Sequence, residues 1–326
     1  MIGLAHNRYL SGMSMELRQL RYIVAVAEER NITRAAERLG MQPPPLSRQI
    51  RAIEREVDAQ LFRRKARGVE LTDAGRAFLD NARAVLMQVD HTFDATRRTA
   101  RGEQGRISVG YSSSVAFHAL VPRIIREFRE AFPLVTVTLV ESNPTDLIER
   151  MQDETIDLAF VRRLEPNTKG IDISALLEES MIVALPSGHA LTRTDGHHNA
   201  ELPLKALADE TFILYGDLTG TLLMQSNAFV AACHAAGFSP RIGQVVSHIS
   251  ARLNLIAAGF GVAVVAASLQ HIKMDGVAFR RLKGSPQLKA PLSIASRRGD
   301  SSAVVRQFLK LAKQTAKNSH AEARRA

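Results

Sequence analysis

The chain has 326 residues, 45% of them apolar, and a formal net charge of +10 at pH 7. That length fills two or three cores and that apolar share argues against disorder. No apolar run reaches about 18 residues and the N-terminus lacks the basic, apolar, small-residue order of a secretory signal, so a spanning helix and export are excluded and a cytoplasmic protein is expected.

The charge sits at the two ends. Residues 1–106 carry 19 Lys plus Arg against 13 Asp plus Glu, residues 107–296 carry 16 against 18, and residues 297–326 carry 8 against 2. The first excess suits DNA, and the last reads as a solvated helix face and a frayed tail.

Taken in order, Met1 to Gly12 is an extension or an upstream start ahead of Met13 or Met15, followed by the helix-like ELRQLRYIVAVAEE. Ala35, Ala36 and Leu39 give one apolar face to a helix starting near Asn31 or Thr33, whose side-chain oxygens can take a first-turn N–H. Gly40 closes it. Pro43, Pro44 and Pro45 fit the first turn of a second helix, where an N–H has no partner to lose. Leu46, Ile50, Ile53 and Val57 share its buried stripe, leaving Ser47, Arg48, Arg51 and Arg55 outside or at the margin. Arg63, Arg64, Lys65 and Arg67 then surround Gly68 before the extended Val69 to Leu71. Two helices across a tight turn, then a basic hairpin, predict a winged helix-turn-helix. Ser47, Arg48 and Arg51 are the base-proximal candidates, and wing cations such as Arg63, Arg64 and Arg67 neutralise phosphate.

The strings AAERLG, PPLSRQIRAIEREV, LFRR and RGVELTDAG stand in the order and spacing of the LysR-type transcriptional regulators, which the chain resembles to about residue 315. The family usually has Gln directly before its Pro-containing turn; here Gln42 is one place early and Pro43 takes that position. The resemblance adds Thr33, Gln42 and Pro44 to the DNA-facing set. It implies double-stranded operator DNA, a small organic acid effector and RNA polymerase as partners, and no cofactor, metal or catalytic residue.

From Thr72, a residue suited to cap a helix, to about Ala100 no proline occurs, and Phe78, Val85, Leu86, Val89 and Phe93 recur at mostly helical spacing. A helix of about 28 residues spans roughly 42 Å and outruns a small domain, so it needs a partner helix or packing within its own chain. The resemblance implies pairing with a second subunit, in a homodimer or a homotetramer. Arg101 to Arg106 is expected to be a hinge.

Beyond Ile107 strand-like and helical runs alternate, ISVGY, VPRIIREFREAF, VTVTLVE, PTDLIERMQDE, IDLAFVR and ESMIVALP, and the pattern repeats from TFILYG to PLSIAS. Largely parallel sheets with helices around them follow, in two lobes. Joints are expected near Ile182 to Pro186 and near Pro291 to Ala295. The resemblance likens this part to type 2 periplasmic binding proteins with a ligand between lobes. The expected organisation is α/β, with a winged helix-turn-helix over 15–72, a linker helix and hinge over 73–104, a two-lobed effector-binding domain over 105–317 and a disordered tail over 318–326.

Ser112, Ser113, Ser114, Asn143 and Thr145 stand at strand-to-helix turns, where hydroxyls and free N–H groups suit an anion and where open α/β sheets bind ligands; each alone is also an ordinary helix cap. Arg162 follows IDLAFV and is placed to counter a carboxylate or to form an exposed ion pair. Tyr215 and Ser250 fall where the resemblance puts the opposite wall, and the likeness points to aromatic acids, muconate-like products or another small organic acid.

Enzyme signatures are missing. GFGVAVV at Gly259 precedes a strand where a dinucleotide fingerprint follows one, and neither a nucleophile elbow nor a phosphate loop occurs. His189, His197 and His198 near Asp195 lack Cys partners and fixed helical spacing, so solvated loop histidines are expected. Cys233 is the single cysteine, which excludes an internal disulfide and suits a small core residue.

Overall fold

Leu20, Ile23 and Val26 recur at helical spacing and are buried in α1 (Leu17–Glu29). Asn31 caps α2 (Ile32–Arg38), its side chain accepting from the N–H groups of Thr33 and Arg34. The prolines open α3 (Pro43–Glu56), which buries Leu46, Ile50 and Ile53. A hairpin follows, β1 (Phe62–Lys65) antiparallel to β2 (Gly68–Leu71). Glu54 of α3 accepts from the N–H groups of Leu61 and Phe62, and Val69 N–H donates to Arg30 O, so both ends of the hairpin are tied to the helices. Gly68 has φ +107 and lies so close to Arg30 that a Cβ would stand 2.2 Å from its carbonyl oxygen. The wing needs glycine there.

Thr72 Oγ accepts from Gly75 N–H and starts α4 (Asp73–Arg101), 29 residues long. The computed structural model describes residues 15–162, 168–193, 201–215, 221–283 and 288–323, and the chain parts into two units between Arg97 and Arg98. The expected hinge is shorter than Arg101 to Arg106: α4 reaches Arg101 and the next strand starts at Gln104, leaving Gly102 and Glu103 between.

The second unit contains β3 (Gln104–Tyr111), α5 (Ser113–Ala116), α6 (Leu120–Ala131), β4 (Leu134–Glu141), α7 (Pro144–Gln152), β5 (Leu158–Val161) and β6 (Ile171–Pro186). Then come β7 (Leu202–Pro203), β8 (Thr211–Tyr215), α8 (Thr221–Ala235), β9 (Arg241–Val246), α9 (Ile249–Ala257), β10 (Ala263–Ala266), β11 (Val277–Lys283), β12 (Lys289–Arg297) and α10 (Ala303–Ala323). The main sheet runs β4-β3-β5-β12-β6-β11-β7 with β10 also paired to β6, and β8 pairs β9.

The sheet is mixed rather than largely parallel. β3 is parallel to β4 and β5, and β8 to β9, but β10, β11 and β12 run antiparallel to β6 and β12 antiparallel to β5. Alternating strands and helices identify elements but not the direction of strands returning along one long neighbour. β6 is that neighbour, and it serves both lobes. Leu176 and Leu177 join the first-lobe core around Phe128, Phe160 and Phe308, whereas Ile182 to Leu185 lie in the second-lobe cores with Phe212, Val264 and Ile256. β12 makes the same passage in reverse, from Ala290 to Leu292 and Ile294. The lobes therefore join at 178–181 and 289–291, so the first joint falls upstream of the expected Ile182 to Pro186. Of the second expected joint only Pro291 lies at the passage.

The tail expected over 318–326 is helical through Ala323. Val304, Val305, Phe308, Ala312 and Ala316 of α10 are buried in the first lobe, and Arg123 pairs with Glu322 at 2.8 Å, which secures the last turn.

Candidate functional site

Within the first unit α3 presents Arg48, Arg51 and Arg55 on the side opposite its buried stripe. All three are exposed and none forms an ion pair among the described residues; Arg55 donates to Arg51 O. Ser47 is half-buried beside them, while Gln42, Pro44 and Thr33 are exposed at the starts of α3 and α2. Gln42 is the N-cap of α3 but makes no side-chain capping bond. On the wing, Arg63 and Lys65 each reach Glu70, at 3.0 and 3.1 Å, and hold its carboxyl below the usual range. Arg64 and Arg67 are exposed without an ion pair among the described residues. A helix with an unneutralised cationic face and a wing with two unneutralised arginines match a major-groove reader flanked by a phosphate contact.

In the second unit a cavity of about 110 Å³ opens where β6 and β12 pass between the lobes. Ser114 and Arg162 come to it from the first lobe. Leu214, Tyr215, Phe229, Ile249 and Arg252 come from the second, and Lys289 to Pro291 from the passage itself. Ser113 Oγ and Tyr215 Oη are 3.0 Å apart, a hydrogen bond that bridges the lobes. Of the residues expected to bind ligand, Ser114, Arg162 and Tyr215 thus line the cavity and Ser113 touches it through Tyr215. Ser112 lies 1% exposed with its hydroxyl unpartnered.

Asn143, Thr145 and Ser250 are not brought to this cavity. Asn143 caps α7 by accepting from Asp146 N–H, the ordinary role open to it, and Thr145 and Ser250 are exposed at the starts of α7 and α9.

Arg162 differs from both expectations. It is 6% exposed, paired with Glu179 at 2.6 Å, and donates to Ala290 O, Ser114 O and Ser268 Oγ. Glu179 also accepts from Ser268 N–H. The charge of Arg162 is therefore answered inside the protein. Close by, burial pushes the His118 imidazole below its usual value; Glu179 opposes the shift, and Arg162 and His271 add to it.

Arg252 was not singled out from the sequence. It is 7% exposed, with Nε donating to Ile213 O at 2.9 Å and one Nη to Val264 O at 3.1 Å. No carboxylate pairs with it among the described residues. Burial pushes its guanidinium down to about 10, against the opposing influence of Tyr215. A signal was available: Ile249, Arg252, Leu253 and Ile256 occupy the buried face of α9 at steps of three, one and three, and a cation on an apolar stripe is rarely buried without a partner or a task.

The histidine loop offers less. His189 caps a short turn by accepting from Leu191 N–H and stands 3.3 Å from Glu210, while His197, His198 and Asp195 lie outside the described residues. Cys233 is fully buried in the second lobe, and burial pushes its thiol up to about 12. Gly259 and Gly261 both have positive φ in the turn before β10.

A winged helix with an unpaired cationic face, followed by a two-lobed α/β unit with a cavity at the lobe junction, defines a ligand-responsive DNA-binding protein. The comparisons agree. Residues 17–76 match the bacterial regulatory helix-turn-helix protein, lysR family, and residues 100–317 match the LysR substrate binding domain. The chain belongs to the LysR-type transcriptional regulators. It is 36% identical over 297 residues to the HTH-type transcriptional regulator BudR of Raoultella terrigena, covering 91% of this chain and 100% of BudR. Full-length CbnR complexed with its target DNA superposes with a TM-score of 0.78 at 30% identity, covering 93% and 100% of the two chains. The BenM effector binding domain with its effector benzoate gives 0.57 at 26%, covering 67% and 93%. The protein is accordingly a DNA-binding transcriptional regulator with an effector-binding domain, not an enzyme. No helix among the described residues is long and apolar enough to cross a membrane.

Proposed function

We propose that this regulator binds operator DNA in the cytoplasm through α3 and the wing, as a homodimer or homotetramer, and that a small organic acid held at the lobe junction changes that binding or the recruitment of RNA polymerase. The observation that carries the effector half is the cavity between the lobes, bridged by Ser113 and Tyr215 and bearing a buried arginine without a counter-charge. BenM supports an acid as the ligand class, being a relative in fold that takes benzoate. Because a ligand moves an equilibrium only through its different affinity for the two states, acid and operator must alter each other's affinity by the same factor.

The test is a titration of full-length protein on operator DNA by fluorescence anisotropy, with and without each of a panel of acids. A reciprocal change in the acid's own affinity, measured with and without DNA, is expected. An acid that binds saturably yet leaves operator affinity and transcription in vitro untouched overturns the coupling.

A further inference from the structure

We infer that Arg252 is the anion receptor of the cavity, and that the ligand it selects is a short-chain aliphatic monocarboxylate rather than an aromatic or dicarboxylic acid. The inference rests on the reading of this cavity as the effector site, and it goes further by naming the anchor and the size of the guest.

Charge comes first. Two arginines line the cavity, and Glu179 already pairs with Arg162. Arg252 is nine-tenths buried, spends Nε and one Nη on the carbonyls of Ile213 and Val264, and leaves its other Nη without a hydrogen bond among the described residues. Carbonyl dipoles satisfy donors but do not neutralise a charge, so the cation is stabilised further by an anion brought into the cavity. Tyr215 stands beside it. Either hydroxyl of the Ser113–Tyr215 bond can be its donor, and with Ser113 donating, the Tyr215 proton remains for a carboxylate oxygen. Acid binding and the bond that bridges the lobes then share one hydroxyl.

Shape and polarity exclude the other anions. The remaining wall is mainly apolar, with Leu214, Phe229, Ile249, Val264 and Leu269 facing the space, and the one further cation, Lys289, is exposed. A phosphate or sulfate would meet too few donors, and a second carboxylate would have no buried counter-charge. The cavity holds about 110 Å³, whereas benzene is known to occupy an apolar cavity of about 150 Å³. Benzoate is larger than benzene. An acid of roughly two to five carbons fits, its carboxylate on Arg252 and its chain against the apolar wall.

Isothermal titration of the full-length protein with acetate, propionate, butyrate, butyramide, benzoate and cis,cis-muconate tests this directly. Saturable binding of a short monocarboxylate is expected, with at least a ten-fold loss for butyramide against butyrate, since the amide keeps the shape and lacks the charge. Arg252→Met should lose butyrate by a similar factor, and Arg252→Lys should recover part of it, with cooperative unfolding of each variant checked by circular dichroism. The amide comparison needs no variant, so it decides the matter even if Arg252→Met fails to fold. Benzoate or muconate binding tightly while the short acids do not, or butyrate binding undiminished in Arg252→Met, overturns the inference and leaves the effector reading standing. No acid binding at all overturns both.

Discussion

At the scale of single residues, the second unit is governed by how each buried charge is answered. Arg162 and Glu179 form a closed pair, so removing one partner should cost far more than removing both. Glu179→Gln is expected to destabilise the fold by about 3 to 5 kcal/mol, and Arg162→Met with Glu179→Leu by much less; urea unfolding of the three proteins at neutral pH measures it, and equal costs would contradict the pairing. His118 gives a pH dependence whose sign is fixed by its direction of shift. Its folded value lies below the unfolded value of about 6.5, so the fold favours the neutral ring. Its contribution is whole above that pH and is lost as pH falls beneath it. Melting temperature should therefore drop between about pH 7 and pH 5.5, and drop less in His118→Gln; identical pH profiles would remove His118 from the account. This scale was the least legible in the sequence. Ser113, Ser114, Arg162 and Tyr215 were found because turn chemistry and strand ends mark them, whereas Glu179 and Arg252 sit inside runs that announce only a strand and a helix. Asn143 was over-read, because a cap and a ligand contact ask for the same side chain.

At the scale of elements, the helix-turn-helix was readable because its period, its three prolines and its glycines each act locally. The second unit was less so. β6 was seen only from Glu178 onward because Glu178, Glu179 and Ser180 interrupt the apolar run, and those residues are the passage between the lobes. The wing carries two predictions. Gly68→Ala places a Cβ against Arg30 O in a backbone region hostile to side chains, so the wing should lift from the helices at a cost of at least about 2 kcal/mol, seen as a lower melting temperature of the DNA-binding unit; no change would mean the hairpin relaxes freely. α3 and the wing should also fail differently on DNA. Arg51→Ala should weaken the specific operator by about 1 to 3 kcal/mol and relax sequence preference, while Arg64→Ala should weaken all sequences alike and reduce the salt slope by about one. Unchanged affinity in both would reject this docking face.

At the scale of the whole molecule, α4 poses the remaining problem, because its apolar residues outnumber what its own unit covers. Gly75, Leu79 and Ala82 are buried near its start, but farther along Val85, Met87 and Phe93 are exposed, Phe93 at 59%. Leu86, Val89 and Phe93 continue one helical stripe at steps of three and four, and an exposed stripe of that kind is covered when a second copy supplies the facing helix. Pairing two subunits also joins two α3 helices into one ligand for a two-part operator, which raises affinity through effective concentration without any new DNA contact. Phe93→Glu is therefore expected to shift the protein toward monomer in sedimentation equilibrium, and to weaken operator binding in proportion while leaving the secondary structure intact. If the variant sediments as the parent does, the helix is not the subunit contact. If it becomes monomeric yet binds the operator as tightly, the two halves of the site do not need to be held together.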